Sequence, residues 1–87
     1  MGVCNRDDAE KILWSFVLAR KEDRFVESPK YMDSMVLNGD PRDGSFGWLF
    51  RARTTLDGPK YYLVFRDHDV QVFSSRPPAK MKSTGVW

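Results

Sequence analysis

The stretch from Ser45 to Ser74 reads as consecutive strands carrying apolar residues on both faces, and it limits the fold more than any other feature of the chain. Phe46 to Thr55 comes first and a Leu56-Asp57-Gly58-Pro59 turn follows. Tyr61–Arg66 and Val70–Ser74 are then joined by Asp67-His68-Asp69. Strand residues alternate between the two sides of a sheet. Phe46, Trp48, Phe50 and Ala52 therefore share one face, and Leu49, Arg51 and Arg53 the other. A chain of 87 residues holds one domain, with one helix to cover one of those faces. The second face is expected to meet water or a partner.

The helix is the N-terminal one. Ala9, Ile12, Leu13, Phe16 and Val17 recur at three- and four-residue spacing and make one apolar stripe. Asp7 is expected to cap it while Glu10 reaches back, and Arg20-Lys21 suit the negative end of the helix dipole. Trp14 and Leu18 lie on the opposite side, stacked one turn apart. Either strands or the C-terminal tail fold over them, or they form a second contact face for a partner or a homodimer.

Glu22 to Lys30 reads as a loop around a short Phe25-Val26 anchor. Tyr31 to Leu37 is ambiguous between strand and two helical turns, with strand favoured because Asn38 to Gly44 looks like a hairpin connection. Arg76-Pro77-Pro78 cannot extend a central strand. The expected architecture is α+β, an N-terminal helix packed on a small antiparallel sheet of three to four strands. Residues 1–76 would form the domain and 77–87 a basic tail.

Little suggests catalysis. His68 is the only histidine, and in a strand-to-strand turn the side chains of Asp67 and Asp69 diverge from it. One Cys and one His cannot close a zinc site. Asp40, Asp43 and Gly44 lack calcium-loop spacing, and Gly39, Gly44, Gly47 and Gly58 form no phosphate cradle. No catalytic residue, cofactor or metal is expected. The lone Cys4 excludes an internal disulfide. No run approaches the roughly 18 apolar residues of a membrane span, and Arg6 stands where the myristoylation pattern has Ser or Thr. A soluble, cytoplasmic protein without membrane contact is the expectation.

Two resemblances bear on the strands. Phe46-Gly47-Trp48-Leu49-Phe50 is similar to the aromatic strand of RNA-recognition motifs, with Ser45 where that pattern has Gly. This resemblance implies bases stacked on that strand. Asp43-Gly44-Ser45-Phe46 and Trp48-Leu49-Phe50-Arg51 resemble the G-T/S-F-L-V-R strand of the phosphotyrosine-binding Src-homology domain, with two residues intruding. That one implies Arg51 as a phosphate-binding arginine.

The function expected first is a small non-enzymatic protein-binding module of the inhibitor or immunity-protein type. Its contact set would be Trp14 and Leu18 on the helix and Leu49, Arg51, Arg53 and Arg66 on the sheet, since Tyr, Trp and Arg are enriched at interfaces. The alternative is nucleic-acid binding. Residues 46–87 carry seven Lys/Arg against three Asp/Glu. Arg51, Arg53, Lys60, Arg66, Arg76, Lys80 and Lys82 would then meet phosphates, and binding would weaken steeply with salt.

Overall fold

A computed structural model describes residues 5–20, 23–40 and 42–79. Helix α1 (Arg6–Leu18) precedes four strands: β1 (Lys30–Val36), β2 (Phe46–Thr54), β3 (Gly58–Phe65) and β4 (Val70–Phe73). The strands pair antiparallel in the order β1-β2-β3-β4, so each neighbour in sequence is a neighbour in space. The chain has the expected α+β architecture, and the ambiguous segment after Lys30 is a strand.

The helix begins earlier than the acidic residues suggest. Asn5, with extended backbone, is the cap, and its side chain accepts from the Asp8 N–H at 2.9 Å. Asn ranks with Asp as a capping residue, and Asp7 and Asp8 sit instead in the first turn, where their charge suits the dipole. The helix ends at Leu18 with no basic residue in its last turn. Arg20 turns away to Asp57, at 2.8 Å, and Asp23, at 3.5 Å. That pair docks the helix end beside the β2–β3 turn.

Two apolar clusters sandwich the sheet. On one side Ala9, Leu13 and Val17 meet Trp48, Phe50, Ala52, Tyr62 and Val64. Full burial of a side chain such as Leu13 contributes about 2 kcal/mol. On the other side Leu49 and Leu63 join Met35, Leu37 and Phe65, with Phe73 and Ala79 packed against them. The second face is therefore not left open along its whole length. The chain leaves β4, at one edge of the sheet, and bridges Leu37 beside β1, at the other edge, through Ala79. In between, Arg76 pairs with Asp33 at 3.2 Å, Pro77 is buried, and the Pro78 carbonyl accepts from the Asn38 N–H. The segment read as a tail from Pro77 onward packs as a strap at least to Ala79, the last described residue.

Arg42 ties the β1–β2 connection to the β3–β4 turn. Its guanidinium reaches Asp69 at 2.7 Å and Asp67 at 3.0 Å, and lies 4.3 Å from the centre of the Phe65 ring. The Arg42 hydrogen bond holds the Asp67 carboxyl below the usual carboxylate range. Removing Arg42 costs both the ion pairs and the ring contact. Arg42→Ala should lower stability by about 1 kcal/mol. The loss should be only partly erased by salt, because the ring contact is screened less than the exposed ion pairs. Denaturant unfolding of both proteins in low and high salt checks this.

Candidate binding surface

The structure separates the six residues of the expected contact set. Leu49 is fully buried in the cluster with Met35, Leu37, Leu63 and Phe65, which corrects its placement on an open face. Alternation put it on the right side of the sheet, but that side carries its own core. Trp14 is half-buried: Phe25 folds over it edge-on at 4.6 Å, and its indole N–H donates to Glu10 at 3.3 Å. The loop thus covers Trp14, while Leu18 stays 61% exposed. Arg66 lies over Phe46 and Trp48, with its guanidinium 5.0 and 5.9 Å from the ring centres. Arg51 and Arg53 are exposed on the face away from the helix.

The seven cations of the nucleic-acid alternative do not form one track among the described residues. Arg66 belongs to the Phe46/Trp48 side, and Arg76 is tied to Asp33. Lys60 donates to Ser74 at 3.4 Å. Lys80 and Lys82 lie outside the described residues. The base-stacking aromatics implied by the RNA-recognition resemblance are also placed otherwise, since Trp48 and Phe50 are buried beneath the helix. His68 sits at the tip of the β3–β4 turn with φ 74°, and the carboxylates beside it are taken by Arg42.

What the structure brings together is the end of the molecule where the helix stops and β2 turns into β3. Arg20 and Asp57 join there, and the loop from Asp23 to Val26 packs along β2. Phe25 bridges Thr54, and the Val26 N–H donates to the Arg53 carbonyl at 2.8 Å. Val26 at 56% and Leu56 at 58% are exposed beside these contacts, and Leu18 stands on the adjoining helix end. Exposed apolar residues scattered singly carry no meaning, but these three stand on segments that meet at one end of the molecule.

Beside Val26 the edge of the sheet opens. Val26 is bonded to Arg53 and Lys30 is opposite Arg51, so three residues, Glu27, Ser28 and Pro29, loop out where β2 has only Ala52. Pro29 has no N–H to pair across that gap. The result is a cleft of about 390 Å³ lined by Glu27, Ser28, Lys30, Arg51, Ala52, Arg53 and Pro59. Arg53 is opposite Pro59 on its other side. Since N–H and C=O of one antiparallel residue point the same way, the Arg53 N–H shares the direction of its Val26-bonded carbonyl, toward this gap.

Ser28, Lys30 and Leu56 escaped the reading of the sequence as site residues, and Val26, expected to anchor the loop with Phe25, is exposed while Phe25 alone packs on the core. They come from a mixed-charge loop and a turn, and only the register of residues 26–30 against 51–53 brings them together. Among the described residues no group of three or more His, Cys, Asp or Glu is placed to hold a metal, and no helix is long and apolar enough to cross a membrane. Comparison with protein-family models, with curated proteins and with solved structures found no match to this chain.

Proposed function

We propose that this chain is a non-catalytic protein-binding module that occludes a target, as inhibitors and immunity proteins do. The contact surface is the end formed by Leu18, Val26 and Leu56, flanked by Arg51 and Arg53. One observation carries the reading: of the four exposed large hydrophobic residues among the described ones, Leu18, Val26, Leu56 and Val72, the first three stand on segments that meet at that end. Exposed apolar patches rimmed by polar residues mark interaction surfaces, and Arg is enriched at interfaces. The flanking guanidinium groups favour a target with an acidic rim around an apolar spot.

The test is affinity capture from the source cell lysate in low and high salt, repeated with Leu18→Ala, Val26→Ser and Leu56→Ser. Each side chain is more than half exposed, so stability should change by no more than about 0.5 kcal/mol. One protein should persist at high salt, and its affinity should fall about tenfold or more for at least two of the variants. A retained protein indifferent to all three substitutions overturns the reading. Capture of nucleic acid alone, lost as salt rises, would do the same and return the question to the basic residues.

A further inference from the structure

The arginines of this protein divide into two groups. Arg6 lies over Tyr31, Arg20 is bound to Asp57, Arg42 to Asp67 and Asp69, Arg66 stacks on Phe46 and Trp48, and Arg76 reaches Asp33. Arg24 makes no such side-chain contact among the described residues, and neither do Arg51, Arg53, Lys30, Ser28 and Glu27, which lie together. These five are the polar side chains lining the cleft at the edge of β2. Cations that outnumber the counter-charges in one cavity repel one another, and an anion in the cavity relieves that repulsion.

We propose that the cleft binds a phosphate monoester carried by the protein partner, an inference that rests on the protein-binding reading above. The charge count selects the ligand. Three cations, Lys30, Arg51 and Arg53, against the single carboxylate of Glu27 leave two net positive charges around the cavity. A phosphate monoester carries about −1.5 to −2 at neutral pH, whereas a carboxylate carries one negative charge. Guanidinium groups present forked donors that match phosphate oxygens, and the Arg53 N–H and the Ser28 hydroxyl can serve the remaining lone pairs. The loop-out at Glu27–Pro29 supplies the room, about 390 Å³.

The site can be read without the partner. Phenyl phosphate, inorganic phosphate and acetate are titrated into the protein while backbone amide signals are followed by NMR. Both phosphates should give saturable shifts confined to Ser28, Lys30 and Arg51–Arg53, with acetate weaker by about tenfold. Binding of phenyl phosphate should weaken as pH falls through about 6, where the dianion gains a proton. The double variant Arg51→Gln/Arg53→Gln should abolish the shifts. Arg24→Gln, which removes an exposed arginine that does not line the cleft, should leave them intact. An equal loss with Arg24→Gln, or acetate matching phosphate, would show a response to net charge and overturn the site.

Phosphatase treatment of the captured partner assigns the source. Loss of capture places the phosphate on the partner, and unchanged capture overturns that placement. The two readings fail separately. A silent cleft with capture that still depends on Leu56 sinks the anion site alone. A phosphate-filled cleft with capture indifferent to Leu18, Val26 and Leu56 sinks the apolar contact surface alone.

Discussion

Asp23→Ala should destabilise the protein by about 3 kcal/mol, lowering the unfolding midpoint by roughly 15 °C. Asp23 is one of only two buried polar or charged residues among the described ones, and its side chain is wholly shielded from solvent. One carboxylate oxygen accepts from the Arg24 N–H at 3.0 Å, the Thr55 hydroxyl at 3.2 Å and the Leu56 N–H at 3.2 Å. Arg20 lies 3.5 Å from the other oxygen. The carboxylate therefore fastens the loop after the helix to the β2–β3 turn. Alanine would strand those donors, and an unsatisfied buried donor costs about 1–3 kcal/mol. Asp23→Asn keeps an acceptor of the same shape and should recover part of the loss.

The same residue predicts a pH signature. Burial pushes the Asp23 carboxyl up, but the Leu56 N–H, the Thr54 and Thr55 hydroxyls and Arg20 together outweigh it, so the group ends below its ordinary value of 3.8. A carboxyl depressed in the folded state releases its proton there more readily than in the unfolded chain. The unfolded chain thus binds more protons over that window, and stability rises with pH. The contribution is complete above the ordinary value and is lost as pH falls through the folded one. Urea unfolding of wild type and Asp23→Asn between about pH 2 and pH 7 should show a gap that is constant near neutrality and narrows in acid. A gap independent of pH would mean that the Asp23 charge contributes nothing.

Periodicity explains why some of this was legible in advance. The 3.6-residue stripe of Ala9, Leu13 and Val17 and the two-residue alternation along Phe46–Ala52 each specify a face, and the structure uses both as read. The strap could not be found that way. Its sheet contacts rest on the Pro78 carbonyl, Ala79 and the Arg76–Asp33 pair, and so short a run has no period. Without the strap, Leu49 looked exposed. Asp23 was hidden for a different reason. It stands in the run Arg20 to Arg24, which resembles a solvated loop, and its partners Thr55 and Leu56 lie more than thirty residues away. The cleft depends on the same long-range pairing, because Glu27–Pro29 form a gap only once Lys30 is set against Arg51. Local pattern specified elements and faces. The binding surface came from loop register, which local pattern does not encode.

Gly47→Ala should be nearly as damaging, at about 3 kcal/mol, for a reason of space alone. Gly47 lies in β2 between Met35 of β1 and Phe65 of β3. A Cβ added there would meet the Val64 carbonyl oxygen at 2.8 Å and Leu63 Cγ and Cδ1 at 3.0 Å. The leucine can rotate, but the carbonyl belongs to the sheet backbone and moves only if β2 and β3 separate. Overpacking of a core that cannot yield typically costs about 1–3 kcal/mol, and the backbone contact puts this site at the upper end. Gly44 is the control. Its φ is +85°, and a Cβ there would touch nothing within 4 Å, so Gly44→Ala should cost only the left-handed backbone penalty of about 1–2 kcal/mol. Combining Gly47→Ala with Leu63→Ala separates the two contacts in unfolding measurements. If the carbonyl is the obstacle, trimming Leu63 rescues nothing and adds its own cavity cost. Rescue by Leu63→Ala would show instead that the side chain was the obstacle and that the β2–β3 pair has room to accept a methyl group.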